Sequence, residues 1–237
     1  MAVTSEHKKV VMNSKLESLL SLLLTISVVV VASVVVYREV SSRSTQGQDG
    51  RRLSAEFKSE WTDALPWGVE LGDSSSSTKL FVFNDLECGG CRRFHADVVE
   101  KIIRDGGVSV KFIHRPLSSH RFALGAARAA ECASQQGHFA AFVDVLFAKQ
   151  DSFGLKPWLS YGRDDAAIRG VGEFEGCLQG NQSFERIEAG IAIADRFDVS
   201  ATPTVMLNGW KFNRPPSLEE VRQSIRATER GRSPVGK

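Results

Sequence analysis

An α/β fold with a helical insertion, preceded by one N-terminal transmembrane helix, is what this 237-residue sequence predicts, on three features. A strand-helix-strand unit covers residues 79–115 and carries Cys88-Gly89-Gly90-Cys91; a mostly helical block runs over 119–197; strand signals return only at 202–212. Ahead of these, residues 18–37 carry no charge, matching the roughly 20 residues a helix needs to cross a bilayer core. With 42% hydrophobic and 24% charged residues the chain is not disordered throughout. Lys plus Arg number 30 against 28 Asp plus Glu, a net charge of +2, so the concentrated positive field of a nucleic-acid binder is missing. Four cysteines are too sparse for a disulfide-stapled miniature fold, which confines any thiol chemistry to one or two local constellations.

The segment 18–37, SLLSLLLTISVVVVASVVVY, lies between Glu17 and Arg38. A cleaved signal peptide is the alternative, but its apolar region should span roughly 7–15 residues and end at a small-x-small site; no such site is evident before Arg38, and a retained anchor is the expectation. Lys8, Lys9 and Lys15 precede the span while Arg38, Arg43, Arg51 and Arg52 follow it, so flanking charge leaves the orientation undecided. The expected organisation is a cytoplasmic N-terminus at 1–17, the anchor at 18–37, a polar flexible tether at 38–60 and a folded domain at 61–237.

Residues 79–84, KLFVFN, are short, aromatic and β-branched, as suits a buried central strand. Beyond Cys91, Phe94, Val98 and Ile102 recur at near-helical spacing and Gly106-Gly107 stops the run. Cys88 therefore sits where a helix begins, facing unpaired N–H groups and the positive end of the helix dipole, which favour a thiolate. Arg92, Arg93 and His95 add to that effect and Asp85 and Glu87 oppose it. Two cysteines two residues apart on such a turn close a small disulfide and trade electrons with another dithiol through a mixed disulfide. Two other readings of the same residues remain: a zinc site with Cys88, Cys91, His95 and either Cys132 or Cys177, and a static structural disulfide.

Residues 108–115, VSVKFIHR, form a second strand candidate closed by Pro116, expected parallel to 79–84. The Ala-rich 119–136 is helical, and Phe139, Phe142, Val143, Leu146 and Phe147 follow an amphipathic helical period as core residues, as do Phe184, Ile187, Ile191 and Ala194. Thr202-Pro203 opens a strand to Leu207, at a position where a cis bond before Pro203 is compatible with the strand start; Asn208-Gly209 makes a hairpin turn and Trp210-Lys211-Phe212 its partner strand. Ser217 with Glu220 forms a capping box for the last helix. His95, His114, His120 and His138 are expected as partly exposed helix or strand-end residues.

Three ordered motifs now stand together: Phe83-x-Asp85-x-x-Cys88-Gly89-Gly90-Cys91, the segment AARAAECASQQGHF at 126–139, and Val199-Ser200-Ala201-Thr202-Pro203-Thr204 leading to Asn208-Gly209. Over residues 65–230 the chain resembles the DsbA-like branch of the thioredoxin superfamily, especially membrane-anchored bacterial thiol-disulfide oxidoreductases. The resemblance implies a thioredoxin fold with a helical insertion, Cys88 as exposed nucleophile and Cys91 as buried resolving thiol. It also implies that Thr202 and Pro203, with a cis bond, lie beside the dithiol and bind substrate, the Thr202 backbone pairing with an extended segment. Many members carry Pro-His or Pro-Tyr where this chain has Gly89-Gly90 at the active-site turn, which supplies no side chain to the thiolate. No acidic residue lies within LFVF at 80–83, leaving Asp85, Glu87 or water as proton acceptor; failing that role, both acids are solvated loop residues. Cys132 and Cys177 are a candidate structural disulfide, the alternative being two buried free thiols. An even cysteine count favours an oxidising compartment, hence a domain on the extracytoplasmic side.

The implied function is disulfide exchange with extracytoplasmic protein substrates, most simply as disulfide donor, with no cofactor and no metal. The expected partners are thiol- or disulfide-bearing proteins, a membrane redox partner that is quinone-linked in the family, and the lipid bilayer, but not nucleic acid. The alternatives are a reductase of protein disulfides and a noncatalytic, membrane-tethered peptide-binding module using the Thr202-Pro203 groove.

Overall fold

In the computed structural model, residues 22–24, 26, 27, 30–34, 52–182 and 184–235 are described. The chain divides into two units, Met1–Arg52 and Leu53–Lys237. In the first, residues 22–24, 26, 27 and 30–34 are helical and exposed. No helix among the described residues is long and apolar enough to cross a membrane. Positions 1–17, much of the expected span 18–37 and the tether over 38–51 lie outside the described residues.

The second unit is built on a six-stranded sheet in the order β1-β6-β5-β3-β4-β2. Its strands are β1 (Ala55–Phe57), β2 (Val69–Gly72), β3 (Lys79–Asn84), β4 (Ser109–His114), β5 (Thr204–Leu207) and β6 (Trp210–Phe212). β3 and β4 run parallel with Leu80 opposite Val110 and Val82 opposite Phe112; the other pairings are antiparallel. The helices are α1 (Gly89–Phe94, running through a π turn at His95–Val99 into Glu100–Asp105), α2 (Ala123–Ser134), α3 (Phe139–Ala148), α4 (Trp158–Ser160 with a π turn at Tyr161–Asp165), α5 (Val171–Gln179), α6 (Glu185–Arg196) and α7 (Leu218–Glu229).

β3 is apolar from Leu80 to Phe83, as suits a strand covered on both faces. Leu80 and Val82 join Val110, Phe112, Val205 and Leu207 in one core, while Phe81 and Phe83 join Ile113, Ile193, Phe197 and Met206 in another. The period-two geometry of a strand assigns neighbouring residues to opposite layers. Gly106 and Gly107 end α1 with φ of 80° and 71°, a region open to glycine at little steric cost. Asn208 and Gly209, at φ 43° and 88°, make the doubly positive turn that fits the twist of a tight hairpin. Ser217 and Glu220 reciprocally cap α7.

Two boundaries differ from the sequence reading. Residues 53–60, assigned to the tether, belong to the domain: Ala55–Phe57 pairs with Trp210–Phe212 as an edge strand, and a three-residue strand has too few positions to show a period. The helical block 119–197 is not all insertion. Its last helix, α6, covers the second face of the sheet through Ile193 and Ala194, and Gly190 lets it approach β4: a Cβ there would stand 2.5 Å from the His114 carbonyl oxygen. Gly190→Ala is therefore expected to destabilise the fold by about 1–3 kcal/mol, seen as a lower urea midpoint with an unchanged slope.

Two histidines also differ. His95 and His114 are buried, 5% and 1% exposed, rather than partly exposed. His114 Nε2 lies 2.9 Å from Glu131 Oε1, and Arg186 donates to Glu131 Oε2 from Nε and Nη2 at 2.9 and 2.6 Å. Burial pushes the Glu131 carboxyl up, but His114 and Arg186 together outweigh it and hold it below the ordinary range.

Candidate active site

β3 delivers the chain to a turn at 85–88, and Cys88 is the N-cap of α1, extended at φ −74° and ψ 118°. Cys88 and Cys91 are both free thiols. Cys88 is half-buried, whereas Cys91, on the first helical turn, is 0% exposed. The Cys88 thiol donates to the Thr202 carbonyl oxygen at 3.3 Å, and the Asp85 N–H donates to Cys91 Sγ at 3.4 Å. The Thr202–Pro203 bond is cis. Gly90 faces this bond: a Cβ there would lie 3.3 Å from Pro203 Cδ and 3.5 Å from Cys88 Sγ, whereas one on Gly89 would meet only the Arg93 guanidinium at 3.9 Å. Gly90 thus keeps Cys88, Thr202 and Pro203 close without an interposed side chain. From Gly90 and Pro203 a groove of about 600 Å³ runs along Phe94 and Val98 to Pro215 and Leu218.

This environment splits the two thiols. A hydrogen bond from Cys91 is the largest influence holding the Cys88 thiol down, to about 5; the Thr202 side chain and the N–H groups of Cys91 and Gly90 act in the same direction, against partial burial. The Thr202 hydroxyl is buried and has no other partner, leaving it available to the thiolate. Cys91 moves the other way, pushed far above an ordinary thiol first by burial and then by Cys88. The site therefore holds one thiolate and one thiol at neutral pH. Since the thiolate is the nucleophile, alkylation of Cys88 is expected to be half-maximal near pH 5 and flat by pH 7, with Cys91 unreactive in the folded protein. A profile rising through the ordinary thiol range, about 8.5, would refute this asymmetry.

Neither Asp85 nor Glu87 is a solvated loop acid. Asp85 is 1% exposed; its Oδ1 accepts from the Glu87 N–H at 2.8 Å and its Oδ2 from the Leu117 N–H at 2.7 Å and His120 Nδ1 at 2.8 Å. Glu87 Oε2 accepts from the Phe122 N–H. Gln150, just beyond α3, donates to the carbonyl oxygens of Leu86 and Cys88 at 2.7 and 3.1 Å, and Arg92 pairs with Asp151 at 3.0 Å. Gln150 and the 117–122 loop carry no sequence signal for their place beside the two cysteines, because these contacts join positions that no local pattern connects. The four-ligand zinc set does not assemble. His95 Nε2 lies 2.7 Å from Asp144 Oδ1, and Cys132 and Cys177 are bonded to each other, joining α2 to α5 across 45 residues. Among the described residues, the group whose metal-ligating atoms lie within 4.8 Å of one another is His95, Glu100 and Asp144.

Fold and site together define a thioredoxin-like domain with an asymmetric dithiol at a helix N-terminus beside a cis-proline. A family model described as Thioredoxin matches residues 66–227, and the chain belongs to that family; its fold is that of the DsbA-like branch. Three solved structures share the fold, each with a TM-score of 0.61. A thioredoxin-like oxidoreductase from Silicibacter pomeroyi is 19% identical, covering 73% of this chain and 98% of that one. BdbD from Bacillus subtilis is 18% identical, covering 74% and 97%. The thiol-disulfide exchange protein alpha-DsbA2 from Wolbachia pipientis is 18% identical, covering 70% and 93%. Curated relatives bear a different name. Na(+)/H(+) antiporter NhaA 3 from Salinispora tropica is 28% identical over 155 residues, 65% of this chain and 24% of the relative. NhaA 1 from Mycolicibacterium gilvum is 29% identical over 166 residues, 68% and 26%. The chain thus spans about a quarter of the length of these relatives.

Proposed function

We propose that this protein is a thiol-disulfide oxidoreductase acting through Cys88 and Cys91, working as a disulfide donor to extracytoplasmic proteins. The observation that carries this reading is the placement of the two thiols, Cys88 half-exposed at the helix start beside the cis Thr202–Pro203 bond and Cys91 wholly buried one turn on, which holds Cys88 down and pushes Cys91 up. A substrate thiolate attacks Cys88 Sγ of the Cys88–Cys91 disulfide; that bond breaks, and Cys91 leaves and takes a proton. The substrate's second thiolate then attacks the substrate sulfur of the mixed disulfide, and Cys88 departs as a thiolate, a good leaving group because its pKa is low. Two electrons pass to the protein; of the two substrate protons one ends on Cys91 and one in solvent. Thr202 and Pro203 hold the substrate backbone beside Cys88 by strand addition, and Gly89-Gly90 leave the approach open.

The Cys132–Cys177 disulfide supports an oxidising compartment and with it an extracytoplasmic domain and a cytoplasmic N-terminus, and the uncharged stretch 18–37 supports a single-pass anchor. A membrane redox partner would return Cys88 and Cys91 to the disulfide. Ion exchange is not carried over from the antiporter relatives. The test is to mix the oxidised full chain with a reduced, unfolded protein bearing two thiols and follow both partners by alkylation and mass. Loss of two substrate thiols for each Cys88–Cys91 pair reduced is expected; an unreacted pair in the presence of excess substrate would overturn the proposal.

A further inference from the structure

A buried hub beside the dithiol has no part in the exchange steps above. Asp85 touches both cysteines through its backbone, giving its N–H to Cys91 Sγ at 3.4 Å and accepting the Cys88 N–H on its carbonyl oxygen at 3.1 Å. Its side chain is 0% exposed, and its carboxylate reaches to the loop between β4 and α2, where Leu117 and His120 donate to Oδ2. His120 is itself fixed by its N–H to the Leu117 carbonyl oxygen at 3.0 Å, with its side chain 30% exposed. A carboxylate so buried is stabilised by a counter-charge, and the side chain bonded to it that can carry one is His120.

On the reading that Cys88 and Cys91 are the exchanging pair, we propose that His120 is a positioning residue of that pair: bonded to Asp85, it locks the turn carrying both cysteines and places an imidazolium against the Cys88 thiolate, a charge that Gly89 and Gly90 cannot supply. Asp85 is the first cause raising His120, and Glu87 and Cys88 act in the same direction, against desolvation. Arg92 is engaged with Asp151, Arg121 lies over the Phe122 ring at 5.3 Å, and Arg93 stands 3.9 Å from a Cβ on Gly89. The coupling is reciprocal, because two interacting sites shift one another by the same free energy. At Cys88 the leading influences are the hydrogen bond from Cys91, partial burial and the hydrogen bond from Thr202, so the contribution of His120 is a lesser one. Oxidation to the disulfide removes the Cys88 charge, so the imidazolium is held more firmly in the reduced than in the oxidised protein.

The experiment is a titration of the His120 ring by NMR in the reduced and the oxidised full chain, paired with the Cys88 alkylation profile of His120→Gln and His120→Lys. His120 is expected to titrate at higher pH in the reduced protein. His120→Gln, which keeps a donor for Asp85 without the charge, is expected to alkylate roughly twofold more slowly at pH 5, and His120→Lys to recover part of the loss. Identical His120 titrations in both redox states, or a His120→Gln variant with a lowered unfolding midpoint but an unmoved Cys88 profile, would overturn the inference and leave His120 a structural residue only. These readouts need no substrate, so failure to transfer disulfides would refute the exchange function without touching this result.

Discussion

Cys91→Ser is expected to accumulate a mixed disulfide between Cys88 and its substrate, and Cys88→Ser to reduce exchange to background. The two substitutions remove similar atoms and differ only in where those atoms sit. Cys88 is the half-exposed sulfur at the helix start, held as a thiolate by Cys91, Thr202 and two N–H groups; serine there has no comparable anion near neutral pH. Cys91 is wholly buried and lies under Cys88. Without it the first attack of Cys88 on a substrate disulfide still proceeds, but no second sulfur resolves the adduct. Mass spectrometry after acid quenching distinguishes the two: an adduct on Cys88 in Cys91→Ser, none in Cys88→Ser. Equal adduct yields from both variants would show that the two cysteines are interchangeable, against the geometry.

Loss of the second cysteine pair is expected to act on stability and not on the chemistry. The Cys132–Cys177 bond closes a loop of 45 residues, and the chain-entropy relation gives about 4 kcal/mol for removing such a constraint from the unfolded state. Cys132 is 1% exposed among the alanines of α2, so a Cys132→Ala, Cys177→Ala variant keeps an apolar pair of similar character. Urea unfolding should show a midpoint lowered in proportion, while the Cys88 alkylation profile stays half-maximal near pH 5. An unchanged midpoint would mean that the four helices α2 to α5 are fixed by packing alone, for instance by Phe142 against Phe174 at 5.5 Å.

The parts of this molecule that were legible in the sequence are those whose signal is local. β3 and β4 announce themselves by short apolar runs, α1 by its spacing and its Gly106-Gly107 stop, the hairpin by Asn208-Gly209, and α7 by Ser217 and Glu220. Cys88, Cys91, Thr202 and Pro203 were read from motifs, and the fold brings them together although 111 residues separate Cys91 from Thr202. What escaped depends on the third dimension. β1 and β2 hold only three and four residues and exist through their partners. The burial of His95 and His114 is decided by helices packed over them, and the roles of Asp85, His120 and Gln150 arise from contacts across 35 and more residues. A polar residue in a polar stretch gives no local sign that it will be enclosed.

The central claim, an exchanging dithiol poised to donate its disulfide, is tested most directly by equilibrating the full chain in glutathione buffers and reading the Cys88–Cys91 state by alkylation and mass. A stabilised Cys88 thiolate favours the reduced form, so a reversible transition nearer the roughly −120 mV of a strong oxidant than the roughly −270 mV of a reductant is expected. A transition at the reducing end would contradict the donor direction, and no reversible transition at all would contradict the exchange function itself.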